Sequence, residues 1–212
     1  MSINIKTLIV DDHEIMRDGL KRILNASDDI NVIAEASNAE EAIRLINKNE
    51  FDMIILDISM PGKSGIELLS DIKSINPDQN VLMLSLHAEK IYAKRTFLAG
   101  ANGYMTKEST SRDLINAIHK INSGGKYISP ILAEILVDSI GQNGKELPHE
   151  QLSNREYQVF EMLAIGKKVF EIAKELNLSS KTVSTYRSRI MIKMNSSSNT
   201  EITQYAIANK LI

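Results

Sequence analysis

The sequence predicts an α/β domain with a doubly wound, five-stranded parallel sheet, followed by a small all-α domain. Three observations carry this. Over residues 1–122, short β-branched or aliphatic runs alternate strictly with longer amphipathic stretches. Several of those runs are apolar almost throughout, which suits strands covered on both faces. Beyond residue 148 no such run recurs, and the charge changes sign. Residues 1–122 hold 14 Lys/Arg and 18 Asp/Glu, a net −4, whereas residues 148–212 hold 9 and 6, a net +3. The whole chain of 212 residues carries −2 and is long enough for one large or two small domains. Its 43% apolar and 25% charged composition argues against disorder. No run approaches the roughly 18 apolar residues of a membrane helix. The opening MSINIKTLIV lacks the features of a secretory signal, and zero cysteines exclude disulfides and thiolate metal sites. A soluble, cytoplasmic protein is expected.

The five predicted strands are IKTLIV (5–10), INVIAEA (30–36), FDMIIL (51–56), NVLMLS (80–85) and NGYM (102–105). Between them, helical spacing appears in Met16, Leu20, Ile23 and Leu24, in Leu68, Leu69, Ile72 and Ile75, and in Leu114, Ile115, Ile118 and Ile121. Ser129–Pro130 reads as a helix start, with serine as N-cap and proline in the first helical position. A short helix to about Ile140 and the linker GQNGKELPH follow. The expected division is therefore 1–125 for the α/β domain, 126–147 for a linker with a short helix, and 148–212 for the helical domain. There, Ser153 and Glu156 have capping-box spacing, Val159, Phe160, Met162 and Leu163 form an apolar face, and Gly166 is a stop. A second short helix turns Val169, Ile172, Ala173 and Leu176 to one side. After the turn NLSS, a third helix starts at Ser179 or Ser180 and runs to Met194. Its core side carries Val183, Tyr186, Ile190 and Met194; its other side carries Lys181, Ser184, Thr185 and Ser188, with Arg189 at the margin and Ile192 among them. A last helix, about Thr200 to Lys210, spaces Ile202, Tyr205, Ala206 and Asn209 helically.

In a parallel α/β sheet, ligands bind beyond the carboxyl ends of the strands. The residues found there are Asp11 and Asp12, Asp57, Ser85 and Lys107. Three converging carboxylates repel, and a hard cation such as Mg²⁺ relieves the repulsion. A carboxylate beside such a cation can act as nucleophile toward a phosphoryl group, with Ser85 and Lys107 contacting its oxygens. A lone Asp after a strand is usually a helix cap and a lone Lys a solvated charge. Five such residues at the ends of four strands are a different matter.

LIVDDHE (8–14), ILDISMPGKSG (55–65), LSLH (84–87) and GANGYMTKES (100–109) resemble the receiver domain of bacterial two-component response regulators. The resemblance spans the whole first domain. It implies a flavodoxin-like strand order, Asp57 as phosphoacceptor for a sensor histidine kinase, and Mg²⁺ held by Asp11, Asp12, Asp57 and the Ser59 main-chain carbonyl. It also implies that Ser85 and Tyr104 are switch residues and that Lys107 contacts the phosphoryl group. Many receivers place Pro after that lysine, often with a cis bond; Glu108 stands there, so no cis peptide is expected. His13 and His87 either border the site and tune water access or are plain surface imidazoles. The methionines, Met16, Met53 and Met83 among them, are read as core filler.

Two short helices joined by a tight turn, the second basic and polar on its outer side, suit a helix-turn-helix entering the major groove. By spacing alone, a solvated face of an interaction domain fits equally. LSNREYQVFEMLAIG and EIAKELNLSSKTVSTYRSRIMIKM resemble the LuxR-type helix-turn-helix of the NarL/FixJ response regulators, over residues 152–210. Glu156, Gly166, Glu171, Ile172, Ala173, Leu176, Ser179, Thr182, Val183, Ile190 and Lys193 match that motif. Tyr186 replaces its usual His, and Lys168-Val169-Phe170 replaces its common Ser-Asn-Lys, with Lys168 supplying the phosphate contact instead. The resemblance implies a phosphorylation-controlled transcription factor, not an enzyme, that binds promoter DNA as a homodimer. Receivers of this type pair through the first and fifth helices, about 13–26 and 110–122, and the DNA domains through the last helix. The expected DNA contacts are Lys168, Lys181, Arg187, Arg189 and Lys193 on phosphates, with Thr182, Ser184, Thr185 and Ser188 toward the bases. An aspartyl phosphatase would want a second carboxylate where Ser59 stands, and a flavodoxin a Ser/Thr/Gly-rich loop where DDHE stands. The alternative left is a receiver whose helical domain binds protein or RNA.

Overall fold

The computed structural model describes residues 4–86, 89–129, 132–134 and 147–212. Two compact units emerge, Met1–Gly141 and Gln142–Ile212. In the first, β1 (Ile5–Val10), β2 (Ile30–Ala36), β3 (Met53–Asp57), β4 (Val81–Ser85) and β5 (Gly103–Thr106) form one sheet ordered β2-β1-β3-β4-β5, parallel throughout. Between and after the strands run α1 (Glu14–Asn25), α2 (Ala39–Ile46), α3 (Gly65–Ile75), α4 (Glu89–Leu98) and α5 (Ser111–Asn122). This is the doubly wound architecture the alternation predicts.

Burial follows position in the sheet. Every residue of the inner strands β3 and β4 is buried, whereas the edge strand β2 alternates toward solvent. On one face, Ile9, Met53, Ile55 and Leu84 pack against Leu20 and Leu24 of α1 and Leu114, Ile118 and Ile121 of α5. Met16, Ile23 and Ile115 border that core rather than enter it. Ile75, expected on the buried side of α3, is exposed in its last turn; Leu68, Leu69 and Ile72 carry the contact. Two strands also shift toward their carboxyl ends. β3 runs to Asp57 itself and β5 to Thr106, bringing the chemistry to the sheet's rim.

The packing of the first unit continues past residue 125. The Tyr127 amide donates to the Asn102 carbonyl at 2.9 Å, residue 127 bridges Gly103 in parallel register, and its side chain packs on the core. Gly103 permits this approach: a Cβ there would come within about 3.0 Å of Ile121, Leu82 and Tyr127. Ser129 caps a helical turn, its Oγ accepting from the Leu132 amide at 3.1 Å. Residues 132–134 are helical, as predicted; the rest of the predicted helix to Ile140, the segment 141–146 and His87 lie outside the described residues.

The second unit holds a 3₁₀ turn (Pro148–Gln151), α6 (Asn154–Ala164), α7 (Val169–Glu175), α8 (Ser180–Lys193) and α9 (Asn199–Ala208). Val159, Phe160 and Leu163 of α6 are fully buried, as are Ile172, Val183, Ile190 and Ile202 of the other helices, while Tyr186 is half-buried. Gly166 ends α6 at φ +88, as a left-handed stop does. Asn177 at φ 53 makes the turn into α8, a conformation asparagine tolerates better than most residues. Among the described residues no helix is long and apolar enough to cross a membrane.

Candidate functional site: an acidic pocket and an exposed helix face

Parallel register aligns Asp57 with Leu84 and Ser85 with Thr106, so the ends of β1, β3, β4 and β5 share one rim. Asp11, Asp12, Asp57, Ser85 and Lys107 meet there. The Lys107 ammonium lies 2.7 Å from Asp11 Oδ2 and 2.9 Å from Asp57 Oδ2, with all three side chains nearly excluded from solvent. The Lys107 amide donates to the Ser85 carbonyl at 2.7 Å, tying β5 to β4 at this point. Ser85 and Tyr104 are fully buried, and the backbone has no cis peptide among the described residues.

Asp57 is held in a costly environment. Its side chain is 2% exposed, yet neither carboxylate oxygen makes a hydrogen bond of regular geometry among the described residues; Oδ2 has only the ion pair. Burial pushes its pKa up to about 6, with Lys107 and the Ser59 amide pulling it down and Asp11 pushing it further up. Burial draws the Lys107 ammonium down, but Asp57 and Asp11 outweigh this and leave it above its ordinary value. Donor atoms of Asp11, Asp12, His13 and Asp57 all lie within 4.8 Å of one another, and Asp12 Oδ1, like the Asp57 oxygens, is buried without a hydrogen bond of regular geometry among the described residues. Such a set of unsatisfied carboxylate oxygens fits a hard divalent cation. Exposed His13 borders the cluster, its Nδ1 3.1 Å from Asp12 Oδ1 and 3.3 Å from Asp11 Oδ1. Ser59 sits half-buried in the loop after β3.

Two contributors escape the sequence reading. Arg17 of α1 donates from Nη1 to the Asp11 main-chain carbonyl at 2.7 Å, fixing the peptide between the paired aspartates. No spacing rule points to it. Gly65 opens α3 against the backbone of Asp57: a Cβ there would stand 1.9 Å from the Asp57 carbonyl oxygen. Its amide donates to the Ile58 carbonyl at 2.9 Å, and Ser64 with Glu67 closes a capping box beside it. The serine–glycine pair ahead of an apolar helix was the available signal.

In the second unit, Ser179 caps α8, its Oγ accepting from the Thr182 amide at 3.0 Å. Lys181, Ser184, Thr185, Ser188 and Arg189 are exposed along one side, and Ile192 is 79% exposed among them. Thr182 turns back instead, its hydroxyl 2.8 Å from that of Ser179. The four basic residues of the helix divide. Among the described residues the Lys181 and Arg189 side chains have no ion pair or hydrogen bond. Arg187 donates from Nε to Asn199 Oδ1 at 2.9 Å. Lys193, expected among the phosphate contacts, has its ammonium engaged by Glu156 Oε2 at 2.6 Å and by the Gln151 carbonyl at 3.2 Å. Lys168 is exposed at the start of α7.

Residues 7–119 match the response regulator receiver domain family, and residues 150–206 match the bacterial regulatory proteins of the luxR family. The chain is 38% identical to response regulator UvrY of Escherichia coli (strain K12) over 208 residues, 98% of this chain and 95% of that protein. It is 34% identical to response regulator GacA of Pseudomonas aeruginosa over 209 residues, 98% of each. Among solved structures, it resembles RcsB of Salmonella enterica serovar Typhimurium bound to promoter P1flhDC with the phosphomimetic BeF3−, at TM-score 0.68 and 28% identity, covering 95% of this chain and 98% of that one.

Proposed function

Since this chain belongs to the bacterial response regulators that join a receiver to a LuxR-type DNA-binding domain, we propose that a histidine kinase phosphorylates Asp57 and that this controls its binding to promoter DNA. The chain is a transcription regulator by family. One observation carries the reading: Lys107 bridges Asp11 and Asp57 while Asp57 Oδ1 has no hydrogen bond of regular geometry among the described residues.

With its pKa near 6, Asp57 is mostly ionised at neutral pH and is available as a nucleophile. One of its oxygens attacks the phosphorus of the donor's phosphohistidine, and the phosphorus–nitrogen bond breaks as the new bond forms. Bound between Asp11, Asp12, Asp57 and the Ser59 carbonyl, Mg²⁺ would neutralise charge on the carboxylates and the incoming oxygens. The product carries about −1.5 to −2 charges. Lys107 then turns from the carboxylate to a phosphoryl oxygen, and the Ser85 hydroxyl gains an acceptor. These contacts exist only in the modified form, so they bias the segment between Ser85 and Tyr104 toward a second arrangement.

We place receiver pairing on α1 and α5, where Ile15 is 88% exposed and the space beside Gly19 is open. On α9, the Ile207 side chain is exposed as well. Lys168, Lys181 and Arg189 contact phosphates, and Ser184, Thr185 and Ser188 approach the bases. Footprinting genomic DNA with the full chain before and after treatment with acetyl phosphate and Mg²⁺ tests the whole reading. Protected sites should strengthen on phosphorylation in the native protein and stay unchanged in Asp57→Asn. Equal strengthening in both would reject it.

A further inference from the structure

Serine and threonine hydroxyls can donate or accept, so the residue types on α8 do not say which bases they would favour. Their geometry narrows the choice. Thr185 Oγ1 lies 3.0 Å from the Lys181 carbonyl oxygen, and Ser188 Oγ lies 3.1 Å from the Ser184 carbonyl oxygen. A carbonyl oxygen has no proton to give, so each hydroxyl is the donor in its pair. Swinging either proton outward would leave two lone-pair-bearing oxygens facing each other at that distance. Both protons therefore point back along the helix, and the lone pairs point out to solvent.

We infer that Thr185 and Ser188 present hydrogen-bond acceptors only, and so select bases carrying an exocyclic amino group in the major groove. Adenine offers N6 and cytosine N4 as donors there, whereas guanine and thymine offer acceptors at the matching edge. Every base pair has one amino group in this groove. The selection is thus for which strand carries it: A or C, against G or T, on the strand each hydroxyl faces. The Thr185 methyl group adds an apolar contact that suits a thymine methyl nearby. The inference rests on α8 being the helix that reads DNA.

The test is selection of sites from a randomised duplex library by the full chain, followed by binding to the selected duplex with single amino groups deleted, purine replacing adenine or 2-pyrimidinone replacing cytosine. At one or two positions, deletion should weaken the native protein about ten-fold. Thr185→Val, which keeps the shape and loses the oxygen, or Ser188→Ala should erase that dependence at its own position while leaving the salt dependence of binding unchanged. Persistence of the amino dependence in both variants would overturn the inference, as would a native preference for G or T at the positions these variants affect, or no selected sequence at all. Lys181→Ala and Arg189→Ala separate this from failure of the underlying reading. If α8 does not enter the groove, neither will change affinity or salt dependence; if only the hydroxyl assignment fails, both will still lower them.

Discussion

Asp57 and Glu156 are both carboxylates nearly excluded from solvent, at 2% and 3% exposure, one in each unit; Asp57 lies the deeper of the two, and their pKa values move in opposite directions. Burial raises both. At Glu156 the rise is overcome by the Lys193 ammonium at 2.6 Å and the Ser153 amide at 2.8 Å, and the group ends below its usual range. At Asp57 the compensation is incomplete, and the group ends at about 6. The contrast teaches that burial alone does not mark a reactive carboxylate; unanswered burial does. Glu156 closes a capping box and pins α8 to the start of α6, whereas Asp57 keeps an oxygen for another atom.

The comparison breaks first on chemistry. Acetyl phosphate with Mg²⁺ should add one phosphoryl mass to the native chain and none to Asp57→Asn, while Glu156→Gln should take up the full amount. Mass spectrometry decides, and a modified Asp57→Asn would end the distinction.

Stability separates the two sites next. Because the folded pKa of Asp57 lies above its ordinary value of 3.8, the group favours the folded unit below about pH 4 and loses that contribution as pH rises through about 6. Removing the charge with Asp57→Asn should therefore stabilise the first unit at pH 7 by up to about 3 kcal/mol, the equivalent of roughly two pK units. Calorimetry without divalent cation should show the gain growing between pH 4 and 6 and then levelling off. Mg²⁺ should raise the transition of the native protein more than that of the variant.

Glu156 runs the other way. Its lowered pKa contributes stability that is present above 4.5 and fades as pH falls through the folded value. Glu156→Gln should cost about 1–2 kcal/mol at neutral pH, since the amide keeps part of the cap and Lys193 is partly solvated. Hydrogen exchange in α6 and α8 reports it locally.

The smallest effect extends the contrast to cations on one helix. Neutralising Lys181 or Arg189 should each reduce the salt slope of DNA binding by about one. Lys193→Met should leave that slope unchanged while loosening α8, and an equal loss of slope would return Lys193 to the phosphates.

Most of this was legible in the chain itself. Alternating apolar runs give the sheet, and Asp11, Asp12, Asp57, Ser85 and Lys107 stand where strands end, so order along the chain becomes proximity at one rim. Glu156 was legible as a cap from its distance to Ser153. Its second partner was not, because Lys193 lies 37 residues away and a helical wheel cannot show what a neighbouring helix offers. Arg17 and Gly65 stayed hidden for the same reason: one acts through a carbonyl across a loop, the other through an atom it lacks. The direction of the Thr185 and Ser188 protons is likewise a matter of coordinates, since composition fixes only that hydroxyls are there.

Tyr127 bears on how this protein can be taken apart. A sheet ordered β2-β1-β3-β4-β5 has two open margins, and bare margins recruit strands from other molecules. On the β5 side, residue 127 already fills a rung beside Gly103 and leans its ring on the core. A fragment trimmed at residue 125 would lose that rung along with the ring. Its β5 margin would then be free to pair with a sister fragment, giving sticky, concentration-dependent clumps, so a well-behaved excised receiver must carry its tail at least through Tyr127.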